Sequence, residues 1–350
     1  MKVLFVGLGS IGQRHLRNLA ALAGPGLEIL AYRALGRPGV LNDHLEVEPG
    51  AVLERRYGLR VFPTLAAALA ESPRLAFICN PTRLHAETAL RAAEAGCHLF
   101  IEKPLSDSLD GIEDLRRVCR ERRLTVQIAQ QLRFHPGLRE LHRLLEERRA
   151  GDLITVRCEV GERLTDWHKY EDYRRMYAAR RDLGGGVVLT QIHELDYLYW
   201  FFGMPERVYA VGGKLSDLDV DVEDAVGAVL TFRRGGRPFP VLVQMDYVQR
   251  PPARSCKVVG TRGTITLDLV RHRVEWLSID DASPEVLDFP GFDRNAMFND
   301  ELKQFLRCVE TGERPAVDLE DGIRGLEIAL AVKRSLAEGR PVEPAETALR

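Results

Sequence analysis

The sequence predicts a two-domain α/β protein in which a parallel, doubly wound sheet is followed by a mostly antiparallel sheet. Up to about residue 125, short apolar runs alternate with helical patterns, which is typical of a parallel sheet covered by helices. Beyond that point, closely spaced strand patterns are separated by turn signals such as RRGGRP and GTRGT, which indicate antiparallel pairing. The length of 350 residues suits about two domains.

Composition narrows the class of protein. Hydrophobic residues make up 45% of the chain and charged residues 29%, and the formal net charge of −2 argues against a nucleic-acid partner. No run approaches the roughly 20 apolar residues of a membrane helix, and MKVLFVGLGS is typical of a strand rather than a signal peptide. Six scattered cysteines without a CxxC motif indicate reduced thiols in a cytoplasmic protein, and no cluster has the spacing of metal ligands.

The first strand is predicted at Lys2–Val6, and it leads directly into the glycine motif GLGSIG and the helical pattern QRHLRNLAAL. Strand, GxGxxG and helix in that order are typical of a dinucleotide-binding unit. Gly7 would make the tight turn, Gly9 would admit the pyrophosphate, and Gly12 would let helix and strand pack closely. The predicted cofactor contacts of this loop are Gly7, Gly9, Ser10, Ile11 and Gly12.

The end of the second strand, residues 27–32, bears on which dinucleotide binds. An NAD-binding protein usually carries a carboxylate there for the ribose 2′-hydroxyl. Here Arg33 stands at that place, with Arg37 nearby and no carboxylate. Because a guanidinium can bind a 2′-phosphate, the sequence favours NADP. NAD stays the alternative, with Arg33 stacked on adenine or facing solvent.

Further strand–helix units follow, and three polar loops come at strand ends: GLGS, CNPT and EKP. Ligands of doubly wound sheets lie outside the carboxyl ends of the strands, so these loops are expected to meet at one site. Lys103 of EKP is either a surface cation or, beside a bound nicotinamide, a group that hydrogen-bonds a substrate hydroxyl. Glu102 is expected to orient rather than react. The further predicted cofactor contacts are Cys79, Asn80, Pro81, His85, Glu102 and Lys103.

The segment GGGVVLTQIHELDYLYWFFG, residues 184–203, joins three glycines to an apolar helical pattern. The pattern predicts one buried helix, because it is apolar on most sides. On one helix, Thr190 and His193 would share a face, since they are three residues apart. Taken alone, the segment favours a hydrogen-bonded core histidine at His193.

Together these motifs resemble the Gfo/Idh/MocA oxidoreductases, which include glucose–fructose oxidoreductases and inositol dehydrogenases. The resemblance extends over nearly the whole chain through GLGSIG, CNPTRLHAETALRAAEAGCHLFIEKPL, QLRFHP, DWHKYEDYRRMYAARRDLGGG and NAMFNDELKQFLRCVETGERP. It is strongest to a branch associated with bacterial sugar metabolism. It implies a catalytic lysine at Lys103 and a catalytic histidine at His193. Many relatives carry an aspartate where this chain has Thr190, which can hydrogen-bond substrate but holds no charge.

The predicted domains are a Rossmann dinucleotide-binding domain, residues 1–125, and a substrate-binding and oligomerisation domain, residues 126–350. The second is expected to be an α/β domain with a large, mostly antiparallel open sheet, whose closing helices can pack back on the first domain. An open sheet face needs covering, which predicts a homodimer or homotetramer. Arginines and aromatic residues in loops near the site suit a sugar-like substrate. The predicted substrate contacts are Arg133, Trp167, His168, Tyr177, Arg180 and Thr190.

The function that the resemblance implies is an NAD(P)-dependent oxidoreductase. It would transfer a hydride between nicotinamide and a secondary alcohol or ketone carbon of a sugar, cyclitol or nucleotide sugar. Two alternatives stay open at this point: an NAD-dependent glycosidase that uses transient oxidation, and a non-catalytic dinucleotide or sugar sensor. A sensor could dispense with Lys103 and His193, and this chain keeps both residues.

Overall fold

The computed structural model describes residues 1–24, 26–33, 39–42 and 45–344. The strands of the first part of the chain are β1 (Lys2–Val6), β2 (Glu28–Tyr32), β3 (Val40–Leu41), β4 (Val47–Glu48), β5 (Arg60–Phe62), β6 (Leu75–Ile78), β7 (His98–Glu102) and β8 (Val126–Ala129). Its helices are α1 (Ser10–Ala23), α2 (Leu53–Tyr57), α3 (Leu65–Leu69), α4 (His85–Glu94) and α5 (Ile112–Glu121).

Six of these strands form a parallel sheet in the order β5-β2-β1-β6-β7-β8, while β3 and β4 pair separately. The central strand β1 is apolar throughout because its two faces enter different cores. Val3 and Phe5 belong to the core that contains residues of α1, and Leu4 and Val6 belong to the core that contains residues of α4 and α5. The predicted doubly wound Rossmann sheet is therefore confirmed.

The second part of the chain contains a larger sheet. Its strands are β9 (Leu153–Gly161), β10 (Arg207–Gly213), β11 (Ala225–Arg234), β12 (Arg237–Asp246), β13 (Ala253–Gly260), β14 (Gly263–Asp268), β15 (Arg273–Ser278) and β16 (Glu285–Asp288). Its helices are α6 (Pro136–Glu146), α7 (Val187–Thr190), α8 (His193–Phe202), α9 (Arg294–Thr311) and α10 (Leu319–Glu338).

The larger sheet has the order β10-β11-β12-β9-β13-β14-β15-β16, and β9 and β12 are its one parallel pair among the described strands. The predicted mostly antiparallel sheet is therefore confirmed. The strand β16 was not predicted, because all four of its residues are exposed and it lacks the alternation of a half-buried strand. On β12, buried and exposed residues alternate, so one face packs on the core and the other is open.

The helix predicted after the three glycines is interrupted. The helix α7 ends at Thr190 and α8 begins at His193, and Gln191 departs from helical geometry with φ −97° and ψ 32°. The prediction of one continuous helix is therefore wrong, and Thr190 and His193 lie on different helices. No glycine or proline marks the break in the sequence.

The two closing helices α9 and α10 pack against the parallel sheet. Phe305 of α9 lies 5.4 Å from Phe100 of β7 between ring centroids, and Ile128 of β8 donates its backbone N–H to the carbonyl of Val317. The strand β8 completes the parallel sheet, so this sheet extends to Ala129. Within the described residues, no helix has the length and apolarity needed to cross a membrane.

Candidate active site

The glycine loop is shaped by contact with the loop after β6. Gly7 has φ +89°, and a Cβ there would lie 2.5 Å from the carbonyl oxygen of Cys79. A Cβ at Gly12 would lie 2.4 Å from the carbonyl oxygen of Gly7, so both positions exclude a side chain. A Cβ at Gly9 would meet no atom of the described residues within 4 Å, which leaves room for a ligand to approach the backbone.

The N-terminus of α1 fits a pyrophosphate. Gly9 is its N-cap residue and has no side chain to satisfy the free N–H groups of the first turn. The first turn of α1 carries no acidic side chain that would repel an anion. Free backbone donors and the helix dipole favour a phosphate at this place, and Ser10, Ile11 and Gly12 supply those donors.

His85 joins the loops after β6 and β7. Its Nδ1 lies 2.7 Å from the carbonyl oxygen of Pro104, and its Nε2 lies 2.7 Å from the carbonyl oxygen of Asn80. The side chain of Asn80 donates to Thr88 on α4 at 2.9 Å. His85 is buried, so the structure places it behind the two loops and holding them together.

Glu102 is in hydrogen-bond contact with a histidine of helix α1. Its Oε1 lies 2.7 Å from Nε2 of His15, a fully buried residue of α1, and its Oε2 accepts the backbone N–H of Lys103 at 3.1 Å. The sequence analysis did not identify His15, although it lies one helical turn beyond Gly12. Glu102 thereby connects the helix that starts at the glycine loop to the backbone of Lys103.

Lys103 crosses from the parallel sheet to the second domain. Its Nζ donates to the carbonyl oxygen of Thr190 at 2.6 Å. That carbonyl is available because α7 ends there, and the last carbonyls of a helix lack intrahelical partners. Burial lowers the pKa of Lys103 to about 8, although Glu102 acts in the opposite direction. Lys103 can therefore exchange a proton near neutral pH.

His193 is held by two consecutive glutamines that follow β8. Its Nδ1 lies 2.6 Å from Oε1 of Gln130, and its Nε2 lies 3.3 Å from Nε2 of Gln131. These partners assign the neutral tautomer in which Nδ1–H donates and Nε2 accepts. Burial holds the pKa of His193 well below its ordinary value, and nearby cations act in the same direction. His193 is therefore a neutral imidazole.

Thr190 lies between Lys103 and two tyrosines. The backbone carbonyl of Thr190 accepts a hydrogen bond from Lys103. The side chain of Thr190 is buried and lies beside the hydroxyls of Tyr177 and Tyr247. Burial, then the charge of Glu102, raise the pKa of Tyr177. The close passage of residues 177–180 explains Gly185, where a Cβ would lie 2.3 Å from the carbonyl oxygen of Tyr177.

The other predicted substrate contacts lie in different surroundings. Arg133 is buried and makes two hydrogen bonds to Asp196, at 2.7 and 2.9 Å. Arg180 pairs with its exposed neighbour Asp182. Their guanidinium groups are therefore engaged within the protein.

Two further predicted contacts, Trp167 and His168, lie in the loop after β9. The ring of Trp167 packs edge-on against Tyr247, with a centroid distance of 5.6 Å. His168 hydrogen-bonds Glu171 at 2.9 Å.

Two arginines that the sequence analysis did not identify lie near Lys103 and His193. Arg254 of β13 makes two hydrogen bonds to Glu194, at 2.8 and 2.9 Å. Arg294 is the first residue of α9. The charges of both arginines act to lower the pKa of His193, after burial and the charge of Lys103. No local motif identifies them, because they lie about 60 and 100 residues beyond His193 in the chain.

The predicted cofactor contact Arg33 pairs with Glu54, the second residue of α2. Arg37, the other arginine of this prediction, lies outside the described residues. The described residues contain no group of three or more His, Cys, Asp or Glu that could hold a metal ion.

Comparison with known families matches both halves of the chain. The family described as oxidoreductase family, NAD-binding Rossmann fold, matches residues 1–130. The GFO/IDH/MocA C-terminal domain matches residues 138–266. Together the two matches cover most of the chain.

Individual relatives agree with these matches. The chain is 28% identical to myo-inositol 2-dehydrogenase of Thermotoga maritima, over 98% of each chain. It is 26% identical to scyllo-inositol 2-dehydrogenase (NAD(+)) of Bacillus subtilis, over 97% of this chain and 94% of that protein. The fold matches levoglucosan dehydrogenase, solved with NADH and L-sorbose, with a TM-score of 0.82 at 19% identity over 98% of each chain. The protein therefore belongs to the GFO/IDH/MocA family of oxidoreductases with an NAD-binding Rossmann fold.

Proposed function

We propose that this protein is an NAD(P)-dependent dehydrogenase that interconverts a secondary alcohol and a ketone on a sugar, cyclitol or nucleotide sugar. The observation that supports this proposal is the hydrogen bond from Lys103, at the carboxyl end of β7, to the carbonyl of Thr190, three residues before His193. When bound, the dinucleotide supplies the nicotinamide ring that gives or takes a hydride. The two inositol dehydrogenases to which the chain is similar support a polyhydroxylated ring as substrate.

In this proposal, Lys103 and His193 share the oxygen of the reacting carbon. Lys103 takes the proton of the alcohol when neutral and returns it when charged, since its pKa of about 8 permits both forms. Nε2 of His193 accepts a hydrogen bond from the substrate hydroxyl, or donates one when it is protonated. It is the nitrogen available for this, because Nδ1 is hydrogen-bonded to Gln130. Glu102 keeps the backbone of Lys103 in place.

The experiment that tests the function is a panel of sugars, cyclitols and nucleotide sugars, assayed at 340 nm with NAD and with NADP in both directions. We expect turnover with at least one polyhydroxylated substrate, and loss of that turnover in Lys103→Met. A panel without net change at 340 nm, together with release of a glycosidic leaving group, would support a glycosidase instead.

For the cofactor, we propose NADP with Arg33 as the contact of its 2′-phosphate. The position of Arg33 directly after β2 supports the assignment, as does the absence of a carboxylate at that position. The pairing of Glu54 with Arg33 weighs against NADP, because the carboxylate of Glu54 repels a phosphate. Binding of the 2′-phosphate requires the side chain of Glu54 to move away from Arg33. NAD is the alternative if Glu54 stays in place and receives the ribose hydroxyls.

We also propose a homodimer or homotetramer that uses the open face of the larger sheet. Tyr209, Val229 and Leu242 are direct cross-strand neighbours on β10, β11 and β12, and each is at least 40% exposed. Val211 and Ile154 extend the apolar surface on the same sheet. A second copy laid on this surface would bury it.

All six cysteines are buried and form no disulfide bond, which supports a cytoplasmic location.

A further inference from the structure

His15 is a polar side chain of α1 in aromatic surroundings. It is fully buried, and its ring centroid lies 4.9 Å from that of Phe100, 6.0 Å from that of Phe298 and 6.2 Å from that of Phe77. Among the described residues, its hydrogen-bond partner is Glu102, whose Oε1 lies 2.7 Å from Nε2. Burial of an imidazole costs free energy unless its polar atoms are hydrogen-bonded, and Glu102 supplies one such bond.

The two nitrogen atoms of His15 differ in their surroundings. Nδ1 is buried without a hydrogen-bond partner among the described residues, whereas Nε2 faces Glu102. Buried N–H groups without an acceptor are rare, because the hydrogen bond lost to water is not replaced. A protonated Glu102 that donated to Nε2 would leave the imidazole proton on Nδ1, without an acceptor. The contacts therefore assign a neutral His15 whose Nε2–H donates to an ionised Glu102.

The carboxylate of Glu102 is shared between His15 and Lys103. Its Oε1 meets His15, and its Oε2 accepts the backbone N–H of Lys103 at 3.1 Å. Glu102 is buried, so protein groups rather than bulk water stabilise its charge. Removal of the His15 donor therefore favours either protonation of Glu102 or its movement away from Lys103.

We propose that His15 is a positioning residue, whose Nε2–H keeps the carboxylate of Glu102 charged and in place beside Lys103. His15 acts through Glu102 and not through contact with the substrate. The inference rests on the proposed function for the part that Lys103 plays in proton transfer, and it adds a residue on which that part depends. Because His15 lies one turn beyond Gly12, the helix whose N-terminus fits a pyrophosphate also sets the charge next to Lys103.

The consequence is a change in the proton affinity of Lys103. Burial lowers the pKa of Lys103 to about 8, and the charge of Glu102 acts to raise it. Loss of the charge of Glu102 would therefore lower this pKa further. The other titratable groups around Lys103 are Arg254, Glu194, Glu162 and His193. The other titratable groups on which Glu102 acts are Cys79, His85, Tyr177 and Glu301. All of them are retained in variants of His15.

The test compares variants of two buried polar residues of α1. His15→Phe removes the hydrogen bond to Glu102 and suits the aromatic surroundings, while His15→Gln keeps an N–H donor near the position of Nε2. Asn18→Leu is the matched control, since Asn18 is also buried and exchanges hydrogen bonds of 3.2 and 3.0 Å with Asn295 of α9. Glu102→Gln removes the charge directly.

Two measurements report the pKa of Lys103 in the full protein. The first is the acetylation of Lys103 by trace acetic anhydride from pH 6 to 10, quantified by mass spectrometry. The anhydride reacts with the neutral amine, so this measurement needs no substrate. The second is the pH dependence of kcat/KM for alcohol oxidation, followed at 340 nm.

We expect His15→Phe and Glu102→Gln each to lower the pKa of Lys103 by about one pH unit, because each removes negative charge beside the amine. His15→Gln should stay close to the wild type, and Asn18→Leu should not differ from it. The double variant His15→Phe/Glu102→Gln should be shifted no further than Glu102→Gln alone, since both changes act through one carboxylate.

An unchanged pKa of Lys103 in His15→Phe would overturn the proposal, and so would an equal shift in Asn18→Leu. If His15→Phe does not fold, His15→Asn takes its place, because the shorter amide ends near the position of Nδ1 and does not reach Glu102. His15→Asn should then show the shift that His15→Gln does not, and equal values in these two variants would make His15 a structural residue.

This proposal and the proposed function fail in distinguishable ways. If no compound is turned over but acetylation shows the shift, the dehydrogenase fails and the action of His15 on Lys103 stands. If turnover requires Lys103 but its acetylation in His15→Phe follows the wild-type pH dependence, the dehydrogenase stands and the positioning role of His15 is wrong.

Discussion

Nζ of Lys103 donates a 2.6 Å hydrogen bond to the carbonyl oxygen of Thr190, and this bond joins the end of β7 to the end of α7. The ammonium is thus fixed by a backbone atom, whose position does not depend on a side-chain rotamer. Since α8 starts three residues later at His193, the same break in the helix positions both candidate catalytic groups.

Substitution of Lys103 should remove most turnover. We expect Lys103→Met to lower kcat by about 10²- to 10⁴-fold, the usual contribution of proton transfer. Cofactor affinity, measured by NADH fluorescence, should stay near that of the wild type, because the glycine loop is untouched. A normal kcat of Lys103→Met on its best substrate would show that Lys103 has no role in proton transfer.

The pH dependence should follow the pKa of Lys103, which is about 8. Burial lowers this pKa, Glu102, Glu194 and Glu162 raise it, and Arg254 lowers it. Alcohol oxidation needs the neutral amine, so kcat/KM should rise with pH through about 8 and then level off. Ketone reduction needs the ammonium and should fall over the same range. Profiles measured from pH 6 to 10 should lose this limb in Lys103→Met, and an unchanged limb would assign it to another group.

The hydrogen bond from His193 to Gln130 should set the charge of the imidazole. Gln130→Glu places a carboxylate beside Nδ1, and an adjacent negative charge raises the pKa of a histidine. The titration of His193, followed by NMR, should therefore shift to higher pH than in the wild type. Gln131→Glu should shift the titration in the same direction, because its carboxylate would lie beside Nε2. An unchanged titration in Gln130→Glu would mean that Gln130 does not contact the ring in solution.

Glu301 of α9 should be protonated in the folded protein. Its side chain is fully buried, and neither carboxyl oxygen has a hydrogen-bond partner among the described residues. Burial, then the charges of Glu102 and Asp196, raise its pKa well above the ordinary value of 4.5. The folded state therefore keeps a proton that the unfolded state releases above pH 4.5, so this residue costs stability as the pH rises from there.

Glu301→Gln should remove that cost. We expect the free energy of unfolding at pH 7 to increase by about 1–3 kcal/mol, with a gain that shrinks towards pH 4. Urea denaturation between pH 4 and 8 measures it, and Glu310→Gln on the exposed side of the same helix is the control. A difference that does not vary with pH would show that Glu301 does not titrate as proposed.

The pair of Arg33 and Glu54 should set cofactor preference. Arg33→Ala should weaken NADP binding about 10-fold more than NAD binding, because the lost contact is to the 2′-phosphate. Glu54→Gln should strengthen NADP binding, because it removes the competing carboxylate. Dissociation constants for both dinucleotides measure these effects. Equal changes for NAD and NADP would contradict the role of Arg33.

Charge on the open sheet face should separate the subunits. Val229→Arg, in the centre of the apolar row on β11, is expected to produce monomers in light scattering at micromolar concentration. Val286→Arg, on the edge strand β16, is the control because the two valines are 42% and 43% exposed. A wild-type protein that is already monomeric would refute the proposed assembly.

The fold was largely predictable because its signals are local. The GLGSIG spacing reflects contacts that leave no room for a Cβ at Gly7 and Gly12, and strand alternation reflects which face of the larger sheet is buried. Where alternation was missing, as in β16, the strand was missed. The break between α7 and α8 also escaped prediction, because neither Gln191 nor Ile192 is a helix-breaking residue.

The sequence by itself predicts a Rossmann domain followed by a mostly antiparallel sheet, with Lys103 and His193 as candidate catalytic residues. The partners of these two residues came from packing: the carbonyl of Thr190 at Lys103, Gln130 at His193, and His15 behind Glu102. The physical reason is range. A periodic pattern or a glycine turn depends on neighbours in the chain, whereas pairing and desolvation depend on side chains brought together from distant positions.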